Sequence, residues 1–67
     1  MINPELDELW QRLWKLSARE RQALVLRYYA DLSLAEVANH LGCPLGTAKS
    51  LIHRGLAGLR AWAGDNR

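Results

Sequence analysis

Leu34 to Ile52 reads LAEVANHLGCPLGTAKSLI. Leu34, Val37, Ala38 and Leu41 recur at three-and-four spacing, which puts them on one face of a short helix. Gly42 follows at once, where a tight turn wants a positive φ, and Pro44 suits the first position of a new helix. Two helices joined by a few residues, with glycine in the turn, make the helix-turn-helix layout, whose second helix lies in the major groove. The small Ala38 lets the two helices approach closely, and Val37, Leu41, Ala48 and Ile52 supply their shared core. An ordinary helical hairpin fits the same pattern, so the surface of the second helix has to decide.

That helix is predicted to run from about Leu45 to Ala63. On a helical wheel Leu45, Ala48, Ile52, Leu56 and Leu59 share one arc, with Leu51, Gly55 and Trp62 along its edge. The opposite arc holds Gly46, Thr47, Lys49, Ser50, His53, Arg54, Ala57, Arg60 and Ala61. Nothing on it is large and apolar and nothing is acidic, so its small residues allow the helix to settle into a groove. Thr47 and Ser50 suit phosphates or base edges, Lys49 and Arg54 suit phosphate or guanine, and helix N-terminal amides hold a phosphate.

Working back from Leu34, Ser33-Leu34-Ala35-Glu36 is a capping box, and Ser17-Ala18-Arg19-Glu20 is a second one. The latter opens a helix that passes through Leu24, Val25 and Tyr28 to about Ala30, where Asp31-Leu32 breaks it. Pro4 suits the first turn of a further helix, on which Leu6, Leu9, Trp10, Leu13 and Leu16 form an apolar stripe opposite Glu5, Asp7, Glu8, Gln11, Arg12 and Lys15. The expected fold is all-α, a four-helix domain with a C-terminal helix-turn-helix and no winged elements.

Composition agrees. The chain has 67 residues, enough for one domain spanning 1–67 with a small core. Leu recurs, Phe is absent and β-branched residues are few, which favours packed helices over a sheet. The lone Cys43 has no partner for a disulfide, so a reducing cytoplasm is expected. No apolar run reaches the ~20 residues of a membrane span, and acidic Glu5, Asp7 and Glu8 stand where a signal peptide would be basic. The net charge is only +2, yet no Asp or Glu occurs from Val37 through Gly64, a stretch holding Lys49, Arg54 and Arg60. A one-signed surface of that kind attracts polyanions.

An ordered set of motifs carries a family resemblance: Leu16-Ser17-Ala18-Arg19-Glu20-Arg21, Leu24-Val25-Leu26-Arg27-Tyr28-Tyr29, Leu32-Ser33-Leu34-Ala35-Glu36-Val37-Ala38, and Gly46-Thr47-Ala48-Lys49-Ser50 with His53-Arg54. From roughly Leu16 to Trp62 the chain resembles region 4 of bacterial sigma factors of the extracytoplasmic-function type. The resemblance implies a last helix that reads the minus-35 promoter element in double-stranded DNA, and other surfaces that meet the RNA polymerase β-flap and, in many members, an anti-sigma factor. It puts the DNA-contacting stretch on Pro44 through Arg54, including Pro44, Leu45 and Gly46, with Thr47, Lys49, Ser50, His53 and Arg54 as the contacts. Leu51 stands where a basic residue is common, and Gly55 and Gly58 stand where alanine and a longer residue are common. The family's region 2 has no counterpart here, so the chain reads as an excised domain or a small stand-alone regulator, monomeric in isolation.

Two alternatives remain open at this level. The DNA-binding output domain of LuxR-type response regulators has a similar four-helix layout and often begins with a Leu-Ser/Thr-x-Arg-Glu stretch, but normally dimerises through its last helix. A protein-interaction module would use the same fold to grip polymerase or an anti-sigma factor without touching DNA.

The remaining residues invite plainer expectations. Trp10 and Trp14 lie one turn apart and are expected to pack internally, Trp14 being the more exposed. The Leu51 and Trp62 stripe is expected to pack on the first helix, with a partner-binding groove as the alternative. Cys43 is expected to be a buried inert thiol. His40, Cys43 and His53 lack the spacing of a zinc site, no cofactor is implied, and a small helical domain without a glycine-rich phosphate loop offers no place for catalysis.

Overall fold

The computed structural model describes the backbone of residues 4–65 and the side-chain surroundings of residues 8–61. Four helices follow one another: α1 (Pro4–Lys15), α2 (Ala18–Leu24), α3 (Leu34–Leu41) and α4 (Leu45–Asp65), with α2 prolonged by a π-helical turn over Val25–Tyr29. No strand occurs among the described residues. α4 is the spine, packed against α2 and α3, and α1 lies against α2 and α4.

Both capping boxes form. Glu20 N–H donates to Ser17 Oγ while Ser17 N–H donates to Glu20 Oε1, each at 3.2 Å. Glu36 N–H donates to Ser33 Oγ at 3.1 Å and Ser33 N–H to Glu36 Oε1 at 2.9 Å. Each box satisfies orphan donors of a first turn, which is why α2 and α3 begin where they do.

The core is made of Ala23, Leu24, Val37, Ala38, Ala48, Leu51 and Ile52, with Leu13, Leu16, Leu41, Leu56 and Leu59 packed around it half-buried. Val37 and Ala48 are fully enclosed. The alanines at the centre bring helix backbones close, the role expected of Ala38.

Several expectations need correction. Trp10 and Trp14 are 56% and 67% exposed, because this narrow core is filled from α2, α3 and α4, and among the described residues of the first stripe only Leu13 and Leu16 reach it. Trp14 is indeed the more exposed of the pair. The helix from Ser17 does not stay α-helical to Ala30: Ala30 N–H donates to Val25 O and Leu32 N–H to Leu26 O, both at 3.0 Å. This wider register turns Tyr28 out to 60% exposure and Tyr29 to 89%. Leu45 lies on the apolar arc yet is 53% exposed, since the first turn of α4 projects beyond the shared core. Cys43 is half-buried rather than enclosed. Leu51 is buried in the core, whereas the side chain of Trp62 lies outside the described residues.

Candidate nucleic-acid interface

The turn Gly42–Pro44 sets the geometry of the site. Gly42 is left-handed at φ 65°, and its N–H reaches back to Ala38 O and Asn39 O. Cys43 N–H then donates to Ala38 O at 3.0 Å, closing a Schellman-type cap that reverses the chain within three residues. A side chain at position 42 would be strained in this backbone. Pro44 stands one place earlier than expected, capping α4 rather than opening it: its carbonyl accepts from Ala48 N–H at 3.1 Å. Its missing N–H costs nothing there, because no helical partner exists for it.

Ala48, Leu51 and Ile52 hold α4 on α2 and α3 through its buried side. The opposite side is open. Pro44, Leu45, Gly46, Thr47, Lys49, Ser50, His53 and Arg54 are all exposed, and Arg60 continues the same face about two turns beyond His53. Among them Gly46, Lys49, Ser50, His53 and Arg54 line one shallow depression. Pro44, Leu45 and Thr47 do not line it; they flank the start of the helix. With Lys49 and Arg54 on it and no acidic residue between Val37 and Gly64, the face carries positive charge and hydrogen-bonding hydroxyls toward solvent.

Sequence reading missed one cation at this edge. Arg19, on α2, donates from Nη2 to Leu41 O at 3.4 Å, so a guanidinium stands at the last turn of α3 beside Gly42. Their separation of 22 positions hides that proximity, and no local pattern reveals it.

A second, apolar groove opens on the other side, where Trp10 and Trp14 of α1 face Val25 and Leu26 after α2 and Leu41 of α3. The Arg21 guanidinium lies 4.3 Å from the centre of the Trp14 ring, a cation–π contact on an indole that stays largely exposed. Among the described residues no group of three or more His, Cys, Asp or Glu side chains is placed to hold a metal ion. No helix among them is long and apolar enough to cross a membrane.

Residues 13–61 match the family described as sigma-70, region 4. The chain belongs to the sigma-70 region 4 family. It is 44% identical over 61 residues to the ECF RNA polymerase sigma factor SigW of Bacillus subtilis, covering 90% of this chain and 33% of that protein. With the RNA polymerase sigma-E factor of Streptomyces coelicolor it shares 44% identity over 45 residues, 67% of this chain and 25% of that protein. The region 4 chain therefore spans a quarter to a third of the length of these curated relatives. Both are sigma factors, so neither the response-regulator output domain nor the stand-alone interaction module is favoured, and the helix-turn-helix at Leu34–Asp65 is that of a sigma region 4.

Proposed function

We propose that this region 4 chain binds duplex promoter DNA at the minus-35 element, as the recognition domain of an extracytoplasmic-function sigma factor in transcription initiation. The observation that carries the reading is the exposed face of α4, where small and hydroxyl side chains alternate with Lys49, His53, Arg54 and Arg60 and no carboxylate intervenes. The turn at Gly42 joins α3 to α4 in the helix-turn-helix layout, whose second helix lies in the major groove. Thr47 and Ser50 bond phosphates or base edges, Lys49 and Arg54 reach phosphate or guanine, and His53 adds a donor in the middle of the face. Pro44, Leu45 and Gly46 form the leading edge that enters the groove.

RNA polymerase is the protein partner, and its β-flap suits the apolar groove of Trp10, Trp14, Leu26 and Leu41, which DNA bound to α4 leaves free. An anti-sigma factor is the further partner that this reading admits. Residues 1–67 act as a single non-catalytic module, monomeric when isolated and working in the cytoplasm.

Fluorescence-anisotropy titration against a duplex selected from random sequence, with a scrambled duplex as control, tests the reading. Selection of one motif, with binding lost on Arg54→Ala, is the expected result. Equal binding to every duplex, or none, overturns promoter recognition by the isolated chain.

A further inference from the structure

Five glycines punctuate the second half of the chain, and of the four whose surroundings are described the fold accounts for three. Gly42 is required by its left-handed backbone. At Gly55 a Cβ would stand 2.8 Å from Leu24 Cδ1, and at Gly58 3.0 Å from Leu16 Cδ2, so both glycines let α4 approach its neighbours. Gly46 is different. It sits in the first turn of α4 with no positive φ, and nothing lies within 4 Å of the place where its Cβ would be. Glycine weakens a helix relative to alanine. The fold thus carries a weakened turn at Gly46 and gains no packing from it.

Position within the face supplies the reason. Lys49, Ser50, His53 and Arg54 follow Gly46 at three, four, seven and eight residues, the spacings that share one helix face, and the five line a single depression. Helical side chains lean toward the N-terminus, which is the Gly46 end of this depression, and Gly46 alone of its lining residues has no side chain. Residues at the start of the second helix of a helix-turn-helix are the ones that meet base edges.

We propose that Gly46 is a specificity-determining residue: its bare Cα admits the major-groove edge of a base pair, and the polar side chains around it hydrogen-bond that edge. The inference rests on the promoter-reading assignment and adds to it which part of the face sorts sequences. Phosphate contacts from the flanks hold any duplex, whereas the notch at Gly46 accepts only a base pair whose edge suits it.

Gly46→Ala tests this on the 67-residue chain, by thermal unfolding and by titration with the selected and the scrambled duplex. The added methyl meets nothing inside the protein, so the unfolding midpoint is expected to stay level or rise by about 1–4 °C. Affinity for the selected duplex falls about 10-fold or more, while affinity for the scrambled duplex changes less than about 2-fold. Gly46→Val, with more bulk at the notch, deepens the loss on the selected duplex. Unchanged binding of Gly46→Ala to the selected duplex overturns the proposal, and so does an equal loss on both duplexes, which would put a phosphate at the notch. A midpoint that drops overturns it too, by giving the glycine a role within the fold. A wild-type chain that enriches no duplex overturns the promoter reading itself, and this inference with it.

Discussion

Asp31 holds a left-handed backbone at φ 60°, a conformation in which any Cβ crowds the following carbonyl. It stands where the helical turn after α2 ends and the chain turns toward the Ser33 cap, a position that suits glycine or asparagine. Asp31→Gly is therefore expected to stabilise the chain by about 0.5–1 kcal/mol, the relief of strain exceeding the added freedom of the unfolded chain. Urea unfolding checks the sign. Gly55→Ala points the other way: a methyl 2.8 Å from Leu24 Cδ1 and 3.0 Å from Cγ has nowhere to go, because Leu24 is itself buried. Overpacking of about 1–3 kcal/mol outweighs the gain in helix propensity of about 1 kcal/mol, so a net loss follows. At Gly58 the only close atom among the described residues is the Cδ2 of half-buried Leu16, which can swing aside, and the same substitution there is close to neutral. Neither glycine's packing was legible in the sequence, where both stood out only as departures from a familial pattern. The exposure of Trp10 and Trp14 was hidden for a related reason: periodicity reports that a stripe is apolar, not how much of it the opposing helices are wide enough to cover.

Elements were the most legible level. The capping boxes marked the starts of α2 and α3, and Gly42 marked the end of α3, because each motif names its own hydrogen bonds. The π turn at Val25–Tyr29 was not legible, since α and π registers differ only in which carbonyl accepts and no local residue type announces the choice. Arg27 donates from Nη1 to Leu32 O at 3.1 Å, and that tie from the π turn to the linker steadies the approach to Ser33. Ser33→Ala removes the cap of α3, the first helix of the helix-turn-helix, and is expected to cost about 1 kcal/mol of stability. The box also makes α3 sensitive to acid. Hydrogen bonds from the Ser33 backbone and side chain hold the Glu36 carboxyl below its ordinary value of 4.5. Above pH 4.5 the carboxylate is ionised in the folded and the unfolded chain alike, and the box contributes in full. As pH drops below that, the unfolded chain takes up the proton first, so the contribution shrinks until pH passes beneath the folded value. Glu36→Gln keeps an acceptor for the Ser33 amide but removes the proton uptake, so its unfolding midpoint in urea is expected to vary less than wild type as pH is lowered from about 6 through the carboxylate range.

Across the whole molecule the division of surfaces follows from where charge and apolar area were left after the core was filled. α4 spends one side on Ala48, Leu51 and Ile52 and turns Lys49, Arg54 and Arg60 outward, while the uncovered tryptophans collect on the α1 side. The charge asymmetry was readable in the sequence as an acid-free stretch, but the Arg19 guanidinium at the turn was not, because it arrives from another helix. This arrangement fixes how binding should respond to salt. Three outward basic residues on α4 allow about three phosphate contacts, and each releases close to one counterion, so the logarithm of affinity should fall against the logarithm of salt with a slope near −3. Doubling the salt then weakens binding about 6- to 8-fold, for selected and scrambled duplexes alike. Lys49→Ala should lower that slope by about one and weaken both duplexes to a similar degree if the ammonium sits on a phosphate. Arg54→Ala, if its guanidinium reaches a guanine edge instead, should leave the slope nearer to wild type and cost the selected duplex about 1–3 kcal/mol more than the scrambled one. A slope well beyond −3 would mean that cations off α4, Arg19 first among them, also lie on the backbone, and Arg19→Ala would then reduce it. A slope near zero would mean that the exposed face of α4 does not carry phosphate contacts at all, and promoter recognition by this face would fall with it.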